Sequence, residues 1–242
     1  MEFIVNHKHF TQALSEVSKA ISTKAIIPIL SGIKITADQS GITLIASNSN
    51  IFIEKFIPSS MDDEQITTTL KAGTIVVPAK YFIEIIKKMP SDIVIKSKNE
   101  QTITIQSEEI TLNLNGFPAN EFPNVPQIDD HAEIQIETKQ LIDAFKQTVF
   151  AVAKNESRPV LTGVHIELDH NKLICAATDS HRLAIRETLI STNVKANCIV
   201  PSATINELLK LMNSNLEFVS IYLSEKPHYF YIRHNYIIFK IN

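Results

Sequence analysis

The residues best suited to chemistry are few, and most stand in the second half of the chain. Asp179-Ser180-His181 contains residue types of a nucleophilic triad. Such triads converge in space from separated segments, so three consecutive residues read instead as a turn between strands. His7-x-His9 brings two imidazoles near one another with no cysteine or carboxylate at ligand spacing, and no metal site is expected. Cys175 and Cys198 lie inside apolar, strand-like runs without a C-x-x-C pattern and read as buried, reduced thiols. A glycine-rich phosphate loop, H-E-x-x-H and G-x-S-x-G are all missing, so neither catalysis nor a cofactor is expected. Two segments stand apart: Arg158-Pro159-Val160-Leu161-Thr162-Gly163 and Thr178-Asp179-Ser180-His181-Arg182-Leu183. Taken by themselves they are turn chemistry with an Asp–His pair.

The elements that hold these segments occur twice. Phe3–Ile33 aligns without a gap on Ile134–Val164 at a shift of 131, which sets Pro28, Leu30 and Gly32 on Pro159, Leu161 and Gly163. Ala46-Ser47-Asn48 falls on Ala177-Thr178-Asp179; later the shift is 123, setting Val77-Pro78 on Val200-Pro201, and near the ends 127. A repeat this long is a whole domain, not a solenoid unit. The expected division is a domain at 1–116, a proline-rich linker at 117–130 and a second domain at 131–242. The three prolines in Pro118–Pro126 imply a stiff, extended connection.

Each copy reads as strand, helix, several strands, helix, several strands, and hence as two similar βαβββ halves of an α+β fold. In the first copy Glu2–Asn6 is a strand and His7–Ile21 a helix, because Phe10, Leu14, Val17 and Ile21 form one apolar stripe. Ile29–Ala37, Thr43–Ser47 and Ile51–Ile57 are β-rich, and Thr67–Val77 is one or two strands. Pro78 opens a second helix that buries Phe82, Ile85, Ile86 and Met89. Ile93–Ser97, Thr102–Gln106 and Ile110–Leu114 close the copy. In the second copy Ile134–Glu137 is followed by a helix over Thr138–Ala153 with Thr138 as N-cap. A further helix spans Pro201–Met212, and Ile221–Leu223, His228–Arg233 and Tyr236–Ile241 are strands.

The net charge is −3, which argues against a nucleic-acid binder if taken as a total. Its distribution reverses that impression. The four helices with their flanks carry ten lysines against four carboxylates, a surplus of six, so the remaining residues carry −9. Lysine favours exposed helix faces in any protein. The pattern equally suits one electropositive surface that holds a phosphate backbone without sequence preference. Arginine is scarce and no aromatic-plus-basic stripe is present, so base readout and single-strand stacking are unsupported. No apolar run reaches the length of a membrane span, and Met1–Val5 begins directly as a strand, so a cytosolic protein without a signal peptide is expected.

Ile27–Leu30, Val77–Lys80, Pro118–Asn124, Arg158–Gly163 and Thr178–Leu183, together with the doubled domain, resemble the beta-subunit family of bacterial DNA polymerase III, the sliding clamps, nearly end to end. The resemblance implies a clamp fold with helices lining one face and antiparallel sheets outside, closed head-to-tail as a homodimer around duplex DNA. Lys24 and Lys80 match DNA-facing basic positions and Asn155 a polar one, with Lys88, Lys139, Lys146, Lys154 and Lys210 expected on the same surface. Arg158, Leu161, Thr178, His181, Arg182 and Leu183 match the wall of a pocket for short peptides of polymerase, clamp-loader and repair proteins. Leu112 and Leu114 match an edge that pairs with another subunit.

Family members have three copies of the domain, so a chain ending at Asn242 is expected to have half a pocket, one unclosed interface and weak self-association. Two alternatives stand beside this reading. One is a natural two-domain clamp closing as a trimer, similar to proliferating cell nuclear antigen. The other is a small-molecule enzyme using the Asp179–His181 turn.

Overall fold

The computed structural model describes residues 1–21, 27–48, 51–99, 101–124, 133–155, 158–212, 217–223, 230–234 and 237–241. The chain divides into two compact units, Met1–Val125 and Pro126–Asn242. In the first unit the order is β1 (Glu2–Val5), α1 (His7–Val17), β2 (Gly32–Ala37), β3 (Gly41–Ser47), β4 (Ile51–Pro58), β5 (Ser60–Met61), β6 (Glu64–Gln65), β7 (Thr67–Lys71), β8 (Gly73–Pro78), α2 (Ala79–Lys87), β9 (Ile93–Asn99), β10 (Thr102–Ser107) and β11 (Ile110–Asn115). The second unit holds β12 (Ile134–Glu137), α3 (Thr138–Lys146), β13 (Gly163–Asp169), β14 (Lys172–Thr178), β15 (Leu183–Leu189), β16 (Ala196–Pro201), α4 (Ser202–Leu211), β17 (Phe218–Leu223), β18 (Phe230–His234) and β19 (Ile237–Ile241).

Both units are antiparallel and both exchange strands between their halves. In the first, β2 runs beside β3 and β3 beside β4, but the outer neighbour of β2 is β8, from the second half of the unit. Reciprocally, β1 joins β9 and β7 in the sheet completed by β10 and β11. The second unit repeats this: β13 lies between β14 and β16, while β12 pairs with β17. Each half thus lends a strand to the other's sheet, which ties the two halves into one core.

The helices bury most of the stripes that the sequence predicts, with Ile21 and Ile85 only half-buried, and several ends differ. Phe10, Leu14 and Val17 are buried, and Phe10 sits edge-on between Phe3 at 6.2 Å and Phe82 at 5.9 Å. The α-helix ends at Val17, because the chain tightens into a 3₁₀ turn over Ser18–Ala20 and the Ser18 hydroxyl donates to the Ser15 carbonyl at 2.8 Å. Likewise α3 stops at Lys146 and not at Ala153. Thr148 is buried and its hydroxyl donates to the Ala144 carbonyl at 2.7 Å, occupying a carbonyl that a further turn of helix would need. Thr138 is not an N-cap: Glu137 holds that position, and the Thr138 N–H donates to the Glu217 carbonyl at 3.0 Å. The first orphan donor of α3 is therefore met by a neighbouring strand end.

Pro78 ends β8 and caps α2 from outside the helix. Pro28–Ser31 and Pro159–Thr162 are 3₁₀ turns, so the strand expected to begin at Ile29 begins at Gly32. The polar stretch 58–65 contains the small β5–β6 hairpin. Residues 117–124, expected to run extended, pack on the first unit with a 3₁₀ turn at Ala119–Glu121. Lys24, residues 125–132 and the strand ends expected at 228–229 and 236 lie outside the described residues.

Candidate functional site

The two distinctive segments of the second unit are brought side by side by the β13–β14–β15 meander. Gly163 opens β13 directly after the Pro159–Thr162 turn, while Thr178 ends β14 and Leu183 starts β15, the two facing each other in register. The intervening turn is built by side chains. The Thr178 hydroxyl donates to the Arg182 carbonyl at 2.7 Å and accepts from the Ser180 N–H at 3.2 Å. Asp179 Oδ1 accepts from the N–H groups of His181 and Arg182, both at 3.0 Å, and its Oδ2 accepts from Arg182 Nε at 3.0 Å. The backbone bond from His181, and then the bonds and charge of Arg182, hold the Asp179 carboxyl below its ordinary value. The expected Asp–His pair is thus a different contact: Asp179 engages the backbone of His181, and its side-chain partner is Arg182.

Arg182 is held on three sides. Beyond Asp179, its Nη2 donates to the Phe150 carbonyl at 2.8 Å, and its guanidinium lies 5.7 Å from the centre of the Phe150 ring. Phe150 was not singled out in the sequence. It stands 32 residues upstream in a 3₁₀ turn after α3, and no local pattern marks it. Its exposed ring is the one signal a surface would show.

Two cavities meet at Leu161. The larger, about 510 Å³, has a basic and polar rim of Lys154, Asn155, Arg158, His181 and Arg182. The smaller, about 260 Å³, has an apolar floor of Val160, Leu161, Ala176, Leu183 and Ile199, with Thr178 and His165 at its border. All six residues expected to form a peptide pocket therefore line one cavity or the other, and Lys154 and Asn155, expected to face DNA, share the larger one. An apolar floor beside the fixed guanidinium of Arg182 can anchor an extended peptide by its apolar side chains and hold its carbonyls or carboxylates.

The other expected residues lie elsewhere. Lys80, Lys88, Lys139, Lys146 and Lys210 are exposed on α2, α3, α4 or their ends; the Lys80 ammonium stands 5.8 Å from the Tyr81 ring centre, and Lys210 pairs with Glu207 at 2.7 Å. Leu112 is exposed on β11, the outer strand of its sheet, and Leu114 is half-buried there. A third cavity of about 230 Å³ joins Leu112 and Ile110 to Tyr81, Ile85, Met89 and Lys88. Lys88 thus stands at this edge cleft as well as on the basic helix.

Cys175 is buried and Cys198 half-buried, both free, and burial pushes each thiol up to about 12. Among the described residues no cluster of His, Cys, Asp or Glu has metal-binding geometry, and no helix is long and apolar enough to cross a membrane.

A doubled βαβββ domain with strands exchanged between its halves defines a protein of the DNA-clamp type. Residues 1–126 match the family described as DNA polymerase III beta subunit, N-terminal domain, and residues 135–241 match its central domain. The chain belongs to the DNA polymerase III beta subunit family. It is 40% identical over 228 residues to the beta sliding clamp of Bacillus subtilis (strain 168), covering 93% of this chain and 60% of that protein. The beta sliding clamp of Halalkalibacterium halodurans is 40% identical over 238 residues, 96% of this chain and 63% of the relative. The crystal structure of the Bacillus subtilis DNA polymerase sliding clamp superposes with a TM-score of 0.96 at 38% identity, covering the whole of this chain and 64% of that one. That of the Streptococcus pyogenes beta subunit gives 0.92 at 32%, with the same coverage. The chain thus spans about three-fifths of the length of these relatives.

Proposed function

We propose that this chain serves a sliding clamp, a non-catalytic processivity factor that encircles duplex DNA and tethers the replicative polymerase and other replication and repair proteins. The observation that carries the reading is the pair of cavities meeting at Leu161, a basic rim beside an apolar floor, in a member of a family whose relatives are named sliding clamps. Arg158, Leu161, Thr178, His181, Arg182 and Leu183 receive short partner peptides. The surplus of lysine on the helices supports a sequence-independent hold on the phosphate backbone by Lys80, Lys139, Lys146, Lys154 and Lys210 together with Asn155, and by Lys24, which lies outside the described residues. The uncovered edge of β11, with Ile110, Leu112 and Leu114, supports a contact with another subunit in the complete, dimeric protein. Such a protein works in the cytoplasm, on the nucleoid.

The enzyme reading has little support, since both carboxylate oxygens of Asp179 are engaged by Arg182 and the turn backbone. The test is Arg182→Ala with Leu183→Ala in the complete protein. Binding of clamp-motif peptides should fall at least tenfold while retention on circular DNA is unchanged. Undiminished peptide affinity would show that the cavities are not the docking site, and lost DNA retention with intact peptide binding would reverse the assignment.

A further inference from the structure

The repeat allows the docking cavity of the second unit to be compared with its own counterpart in the first. By the shifts of 131 and 123, the floor residues Val160, Leu161, Ala176, Leu183 and Ile199 correspond to Ile29, Leu30, Ile45, Phe52 and Val76. The backbone agrees: Lys34 faces Ile45 and Val76 across its two neighbouring strands, as His165 faces Ala176 and Ile199, and Ser47 faces Phe52 as Thr178 faces Leu183. The same five positions nevertheless differ sharply in exposure. Val160, Leu183 and Ile199 are 62%, 64% and 42% exposed; Ile29, Phe52 and Val76 are 5%, 4% and 0%.

What covers them is the chain's own connecting segment. Ile29, Leu30, Ile45, Phe52 and Val76 form one buried cluster with Phe122, and Phe117 packs against it. The Lys34 ammonium, at the place of His165, lies 5.8 Å from the centre of the Phe122 ring. Phe117 is fastened by a two-way backbone bridge, its N–H donating to the Val76 carbonyl at 2.7 Å and its carbonyl accepting from the Val76 N–H at 3.3 Å. A proline-flanked aromatic segment that bridges to a strand at Phe117, turns through Ala119–Glu121 and seats the Phe122 ring among apolar side chains occupies the place that an aromatic anchor of a docked peptide would take.

We propose that the first unit carries a second peptide cavity of the same design, kept closed by Phe122 as a built-in ligand. The occupant it would accept on opening is a peptide that presents an aromatic side chain next to proline. Calling the cavity peptide-binding rests on the reading of the second unit given above, and the experiment keeps the two apart.

The probe is a labelled peptide with the sequence of residues 117–124, Phe-Pro-Ala-Asn-Glu-Phe-Pro-Asn, titrated by anisotropy into four proteins: wild type, Phe122→Ala, Leu183→Asp and the double variant. Leu183→Asp disables the second-unit floor. In that background Phe122→Ala should gain one peptide per chain and rise in melting temperature as peptide is added. A folded double variant that binds no peptide overturns the proposal, whatever wild type does; the second-unit reading is judged separately, by the effect of Leu183→Asp on clamp-motif peptides. Should Phe122→Ala not fold, native hydrogen exchange decides. A ligand-like segment detaches locally, so the Phe117 amide should exchange at least roughly tenfold faster than the β2 amides. Exchange at the β2 rate would make Phe122 ordinary core and overturn the proposal.

Discussion

Replacing Phe150 with alanine asks whether the basic wall of the proposed peptide cavity is set before a partner arrives. The Arg182 side chain is half exposed, yet Asp179 Oδ2 at 3.0 Å, the Phe150 carbonyl at 2.8 Å and the Phe150 ring at 5.7 Å all restrain its guanidinium. Alanine keeps the carbonyl, which belongs to the main chain, and removes only the ring. A cation–ring contact at an exposed site contributes about 0.5–1 kcal/mol. At about 1.4 kcal/mol per tenfold, peptide affinity should fall roughly two- to fivefold. Because the ring acts only through Arg182, Phe150→Ala should add nothing once Arg182→Ala is present. The assay is a double-mutant cycle by calorimetric titration of a clamp-motif peptide into the complete protein, with circular dichroism to confirm the fold. If the two losses simply add, or if Phe150→Ala costs more than roughly twentyfold, the ring touches the peptide itself and the positioning argument fails.

Three further outcomes are expected. Phe10→Ala removes a fully buried ring between Phe3 and Phe82 and should cost about 3–5 kcal/mol in urea unfolding; a loss under about 2 would deny that these rings are the core of the first unit. The Asp38 carboxyl accepts from the hydroxyl and N–H of Ser40 and is held below its ordinary 3.8; its stabilisation is therefore complete above pH 3.8 and lost as pH falls through the lower folded value, so an NMR titration midpoint at or above 3.8 would contradict it. Cys175 and Cys198, raised from 9.0 to about 12 by burial, should resist iodoacetamide at pH 8 in the native protein and react on unfolding; since the folded values are raised, their contribution is intact below pH 9 and lost in more alkaline solution, and rapid native alkylation would refute it.

The helices were legible because a stripe such as Phe10, Leu14 and Val17 needs only one face of one helix to be buried, a local periodicity. Their ends were not. Thr148 closes α3 by reaching back to Ala144, and the Thr138 N–H is met by the carbonyl of Glu217, 79 residues away in sequence. Strand positions followed from β-branched runs, but the exchange of β8 and β1 between halves had no local signature, since pairing partners are chosen by the shape of the whole core.

In the candidate site, Arg158, Leu161, Thr178, His181, Arg182 and Leu183 could be named only because their two motifs resemble those of the clamp family, whereas the repeat could be counted residue by residue. The sequence by itself determined the number of copies, the helix faces and the surplus of lysine on the helices, because these depend on residue type and spacing. Only the tertiary structure decided that Phe150 braces Arg182 and that the apolar floor is open in one copy and filled by Phe122 in the other. Whether a cavity is empty depends on what distant segment reaches it, and that is a property of the folded surface.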